Sequence, residues 1–101
     1  MSLTEMIDIK AIERACQRFG VERLWVFGSI LSEHFDEQSS DVDFLVDFFP
    51  DNDALFEDYF DLKAELELIV GRKVDLVDVS AIRNPYFKES ARATAQELYA
   101  A

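Results

Sequence analysis

The sequence predicts an α+β fold, a small mixed β-sheet flanked by helices. Three observations carry that expectation. Val42, Phe44, Val46 and Phe48 alternate with Asp41, Asp43, Leu45 and Asp47, which is the period of a strand. Short apolar runs at Leu24–Phe27 and Lys73–Val79 read as two further strands. Helical stripes lie before, between and after these runs. The order helix, strand, strand, helix, strand, helix is that of one sheet with helices laid against it, in a single domain over residues 1–101.

The elements follow in chain order. Ile12, Ala15, Cys16 and Phe19 share one face of a first helix, and Gly20 suits its C-terminal cap, where a left-handed residue is wanted. Leu24-Trp25-Val26-Phe27 is aromatic and β-branched, a buried strand ending at Gly28-Ser29. In the second strand Val42, Phe44, Val46 and Phe48 face one way, and Asp41, Asp43, Leu45 and Asp47 the other. Pro50-Asp51-Asn52-Asp53 marks a turn and a helix start. Leu55, Tyr59, Leu62, Leu66 and Ile69 then form the stripe of an amphipathic helix that Gly71 closes. The third strand carries Val74, Leu76, Val77 and Val79. Asn84 before Pro85 opens a final helix, expected to run Phe87, Ala91, Ala95 and Leu98 along one side. Cys16, Trp25, Phe27, Phe44 and Phe48 are expected in the core.

Composition narrows the function. Half the residues are hydrophobic and 13% aromatic, enough for a packed core. With 21 acidic residues against 10 basic ones, the net charge of −11 argues against gripping nucleic-acid backbones or an anionic membrane. No apolar run approaches the roughly 20 residues of a membrane span. One cysteine leaves no internal disulfide and fits a reducing, cytoplasmic setting. The charge is also localised: from Leu24 to Leu62 there are 11 acidic residues and no Lys or Arg.

Two features inside that window carry chemistry. Asp41 and Asp43 leave the same face of their strand, with Cα atoms about 6.6–6.8 Å apart. Carboxylates so placed can converge on divalent cations, and hard oxygen ligands suit Mg²⁺ or Mn²⁺. Asp75, between Val74 and Leu76, joins them if the third strand pairs beside the second. Gly28 lets a ligand approach the backbone, and Ser29 offers a hydroxyl beside free N–H groups, a phosphate cradle. The ordinary alternatives are solvated strand-end acids and a tight turn with a capping serine.

Together, Val26-Phe27-Gly28-Ser29 and Ser40-Asp41-Val42-Asp43-Phe44-Leu45-Val46 resemble the signature of the DNA polymerase β nucleotidyltransferase superfamily, and more narrowly the minimal nucleotidyltransferases (MNT) of prokaryotes. The resemblance extends to the helix Leu55–Val70, to Gly71-Arg72-Lys73-Val74-Asp75-Leu76-Val77 and to the ending Asn84-Pro85-Tyr86-Phe87 with Leu98-Tyr99-Ala100. It implies a palm-like sheet that binds a nucleoside triphosphate. Gly28 and Ser29 would take phosphate, and Asp41, Asp43 and Asp75 would hold two Mg²⁺ ions and form the catalytic set. It also implies an antitoxin partnered with a HEPN-family toxin, acting by AMP transfer from ATP to that protein. The chain departs from the family pattern after Ser29: the spacer to Asp41 has 11 residues, one more than usual, and reads Ile30-Leu31-Ser32-Glu33 where the family carries Arg and Gly. Two functions therefore stand side by side, an adenylyltransferase and a weak or inactive antitoxin that neutralises its partner by contact. His34 could approach a phosphate in place of the missing Arg, and Arg72 and Lys73 could reach a triphosphate or simply complement a helix C-terminus. So short a chain has little left to shape an acceptor pocket, which a partner or a second copy would then supply.

Overall fold

The computed structural model describes residues 7–27, 42–50, 54–82, 86, 89 and 93–101. The elements are α1 (Ile9–Arg18), β1 (Val21–Phe27), β2 (Val42–Phe48), α2 (Leu55–Val70), β3 (Val74–Asp78), a single 3-10 turn (Val79–Ala81) and β4 (Gln96–Ala100). The strands form one mixed sheet in the order β3-β2-β1-β4. β1 is antiparallel to both β2 and β4, whereas β2 and β3 run parallel. A parallel pair needs a crossover, and α2 is that crossover.

Local chemistry accounts for the helix ends. The Asp8 carboxylate caps α1 by accepting from the Ala11 N–H at 3.1 Å, an interaction worth about 1 kcal/mol. Ile12, Ala15 and Cys16 are its buried residues. Gly20 follows at φ 69 and reverses the chain into β1. α2 ends at Gly71, whose φ of 72 is the left-handed conformation of a C-cap and whose N–H donates to the Glu67 carbonyl at 2.9 Å.

The sheet separates two apolar clusters. On one face Val42, Phe44, Val46 and Phe48 of β2 pack with Leu24 and Val26 of β1 and with Ile12, Cys16, Leu62 and Leu66 of the helices. On the other, Trp25, Leu45 and Val79 form a smaller cluster flanked by Phe27, Val77, Ile82 and Ala95. The alternation in β2 follows from this: Asp43 and Asp47 are half-buried on the second face, and only Leu45 there is fully buried. The outer side of α2 carries exposed apolar residues among its acids. Phe56 and Leu68 are 77% and 79% exposed, and the Phe56 and Phe60 rings meet edge to face with centroids 4.9 Å apart.

The C-terminal segment corrects the sequence expectation in part: the described residues Tyr86, Glu89, Ala93 and Thr94 are helical, as expected of the final helix, but its C-terminal end is not. Ala95 and Leu98 do not continue a helix; residues 96–100 are β4, paired to β1 through Val26↔Gln96, Trp25↔Glu97, Leu24↔Tyr99 and Arg23↔Ala100. Gln, Glu, Leu and Ala all favour helices locally. The unpaired edge of β1 offers a ladder of hydrogen bonds and a site for Leu98 and Tyr99 against the main core, and that tertiary gain overrides the local preference. Arg23 adds an exposed clamp on the same pair, with Nε 2.8 Å from Glu97 Oε1. The proposed cap and start of the final helix, Asn84-Pro85, and the residues Phe87 and Ala91 lie outside the described residues, as do the turn acids Asp51 and Asp53.

Candidate functional site

Parallel pairing sets Asp43 of β2 directly opposite Asp75 of β3, and antiparallel pairing sets the same Asp43 opposite Phe27, the last residue of β1. Phe27, Asp43 and Asp75 thus form one row across three strands. Directly opposed residues project from the same face of a sheet, so both carboxylates stand on the side of the smaller cluster. The next row, Trp25, Leu45 and Val77, is an apolar floor beneath them. Asp43 is half-buried and Asp75 exposed, so the pair has a wet mouth and a dry base.

Strand direction brings the sequence motifs to this end. β1 finishes at Phe27, and Gly28-Ser29 follow it in the chain; β2 begins at Val42, immediately after Asp41. Gly28, Ser29, His34 and Asp41 themselves lie outside the described residues. Among the described residues no three His, Cys, Asp or Glu side chains converge as a metal site. Of the candidate acids, the described Asp43 and Asp75 are set opposite each other, and their two hard carboxylates are the donor chemistry that Mg²⁺ or Mn²⁺ takes. The residues present therefore fit a divalent cation.

The start of β3 is held from the helix side. β3 is an edge strand. The Val42 N–H donates to the Lys73 carbonyl at 3.1 Å, so the backbone groups of residues 73 and 75 face β2 and those of Val74 and Leu76 face outward. Two side chains of α2 meet those outward groups. Glu67 Oε2 accepts from the Val74 N–H at 3.1 Å, and the Tyr59 hydroxyl donates to the Leu76 carbonyl. Burial, followed by the Asp75 and Asp78 carboxylates, pushes the Tyr59 phenol up from its usual value of 10.0, which keeps it a donor. Sequence reading assigned Tyr59 to the apolar stripe and passed over Glu67. A polar residue one position after the buried Leu66, just before a closing glycine and a strand, was the available signal.

The other candidates resolve simply. Lys73 is exposed and Arg72 half-buried, both just past the C-terminus of α2 and before β3. Cys16 is fully buried in the main core; burial, with Glu13 nearby, pushes its thiol up to about 12, so it is no nucleophile. Toward the other end of β2, Asp47 and Asp78 border a shallow cleft of about 380 Å³ with Glu22 and Phe49. There the Asp78 carboxylate accepts from the Ser80 N–H at 2.9 Å and the Ser80 hydroxyl at 2.7 Å, the cap of the 3-10 turn. No helix among the described residues is long and apolar enough to cross a membrane.

Known proteins share this fold. The family description of a nucleotidyltransferase domain matches residues 9–97. A Methanocaldococcus jannaschii protein, provisionally named a protein adenylyltransferase, is 38% identical over 73 residues, 72% of this chain and 72% of its own. A solved structure provisionally described as a minimal nucleotidyltransferase is 32% identical, with a TM-score of 0.72 over 87% of this chain and 86% of that one. A toxin–antitoxin crystallised with AMP-PNP shares the fold at 17% identity and a TM-score of 0.70, over 94% of this chain and 75% of that one. So does a complex of tri-AMPylated Shewanella oneidensis HEPN toxin with its MNT antitoxin, at 17% identity and a TM-score of 0.56, over 92% of this chain and 73% of that one.

Proposed function

The chain belongs to the nucleotidyltransferase domain family, and from that premise we propose that it transfers AMP from ATP to a hydroxyl of a partner protein, a HEPN-type toxin that it restrains as an antitoxin. The observation that carries this reading is the register that sets Asp43 opposite Asp75 beside the end of β1. In this reading Asp41, Asp43 and Asp75 hold Mg²⁺, and Gly28 and Ser29 receive phosphate. Magnesium, when bound, supplies charge neutralisation for the triphosphate and the departing pyrophosphate.

The chain's own groups do the rest. A hydroxyl oxygen of the acceptor forms a bond to the α-phosphorus, the bond from that phosphorus to the bridging oxygen breaks, and pyrophosphate leaves with the electron pair. The exposed Asp75 carboxylate stands at the mouth of the site, where it can take the hydroxyl proton as general base. The apolar floor of Trp25, Leu45 and Val77 closes the base of the site, while its mouth at Asp75 stays open to solvent. Rate comes chiefly from holding acceptor and phosphate in line. A protein acceptor suits the surface: the acidic surplus between Leu24 and Leu62 is complementary to a basic protein, and the exposed Phe56, Phe60 and Leu68 of α2 form the kind of apolar patch that partners cover.

The test is mass spectrometry of the protein encoded beside this one after incubation with ATP and Mg²⁺. AMP additions are expected with the native chain and none with the Asp41→Asn, Asp43→Asn double variant. Undiminished modification by that variant would sink the site. An inhibited but unmodified partner would instead establish neutralisation by contact, the reading that the unusual spacer Ile30-Leu31-Ser32-Glu33 favours.

A further inference from the structure

We infer that Glu67 and Tyr59 are positioning residues that clamp the free edge of β3 on either side of Asp75 and so hold its carboxylate opposite Asp43. The inference rests on the reading of Asp75 as a cation ligand and goes beyond it by naming what keeps that ligand in place.

Among the described residues, Asp75 sits on an edge strand with a neighbouring strand on one side only. Unpaired edge groups leave a strand free to fray, and a short one frays most readily. β3 has only five residues. A side chain that must present an oxygen to a cation needs placement within about 0.5 Å, which a fraying strand does not offer. The structure meets the difficulty from α2. Val74 and Leu76 flank Asp75, and the outward N–H of the first and the outward C=O of the second are the groups taken by Glu67 and Tyr59. The two contacts match in polarity, an acceptor for the N–H and a donor for the C=O. Asp75's own backbone groups face β2, so the three residues are tied alternately to the helix and to the sheet.

The frame that delivers these side chains is itself stiff. α2 runs antiparallel to β3, which puts Tyr59, earlier in the helix, against Leu76 and Glu67, later in it, against Val74. Leu62 and Leu66 are fully buried between them and fix the helix on the core. The Glu67 carbonyl accepts from Gly71, so one residue holds both the turn, through its backbone, and the strand, through its carboxylate.

Glu67→Ala and Tyr59→Phe remove each contact, and Glu67→Gln restores an acceptor. Two readouts separate positioning from simple support: hydrogen exchange of the Val74 and Asp75 amides, and Mn²⁺ affinity of the metal-free full chain by electron paramagnetic resonance. Loss of a group that orients a metal ligand costs about 10-fold or more in metal affinity. Glu67→Ala and Tyr59→Phe are therefore expected to weaken Mn²⁺ binding about 10-fold, with faster exchange in Glu67→Ala, while Glu67→Gln stays near the native protein in both. Lower thermal stability with unchanged Mn²⁺ affinity in Glu67→Ala and Tyr59→Phe would overturn the inference and leave the functional reading standing. Asp75→Asn is the control: if it binds Mn²⁺ as well as the native chain, the functional reading falls and the inference falls with it.

Discussion

Replacing Asp75 by Asn is expected to stabilise the metal-free protein and to abolish its response to Mg²⁺. The two carboxylates are directly opposed on adjacent parallel strands, and adjacent strands lie about 4.8 Å apart. Two like charges about 5 Å apart repel by about 0.8 kcal/mol when water screens them. That is the appropriate value because Asp75 is exposed, and physiological salt reduces it further. For a domain near 100 residues, 1 kcal/mol moves the melting temperature by roughly 4–8 °C. The variant should thus melt up to about 3–6 °C higher than the native chain in EDTA. The native chain should gain about 1.4 kcal/mol at a Mg²⁺ concentration ten times the dissociation constant, closing or reversing the gap, while the variant gains nothing. Calorimetric melting in EDTA and across a Mg²⁺ series measures both effects. A variant that is less stable in EDTA, or that keeps the Mg²⁺ shift, would refute the reasoning that the register creates a cation site at the expense of stability.

Three further outcomes are expected. Leu66→Ala empties a fully buried position between α2 and the sheet and should lower unfolding free energy in urea by about 2–5 kcal/mol; a loss below 1 kcal/mol would contradict the packing described. Gly71→Ala meets no atom within 4 Å of the added methyl, so its cost is the left-handed backbone alone, about 1–2 kcal/mol, read as a shift of the urea midpoint with unchanged slope. Cys16 should resist thiol reagents at pH 8 until the chain unfolds, since its thiol is pushed up to about 12 from 9.0. With the folded value raised, the unfolded chain loses its proton first as pH rises. The buried thiol's contribution is therefore intact below about pH 9 and falls by about 1.4 kcal/mol per pH unit from there toward 12. Comparing the alkaline stability of the native chain with that of Cys16→Ala isolates the slope, and identical slopes would contradict it.

Much of this molecule is legible in one dimension because its signals are local. The helix from Leu55 to Val70 is marked by its own stripe and closed by its own glycine, and the structure bounds it at the same residues. β2 is marked by alternation that no helix would tolerate, with Val42, Phe44, Val46 and Phe48 all buried on one side. The candidate site was legible as residue types, Gly-Ser and paired aspartates, since coordination chemistry restricts what can hold a cation. The end of the chain was not. Gln96 to Ala100 has helix-forming composition, and only the open edge of β1, distant in sequence, makes it a strand.

The sequence by itself therefore determined the periodicities, the caps, the acidic surplus and the candidate ligands, because each depends on neighbours a few residues away. Tertiary structure alone decided that β2 and β3 run parallel and in register, so that Asp43 and Asp75 stand side by side. It also decided that Glu67 and Tyr59 reach the outer edge of β3. The physical reason is common to both: strand order and register are chosen by burial and hydrogen bonding across the whole sheet, and no run of consecutive residues contains that information.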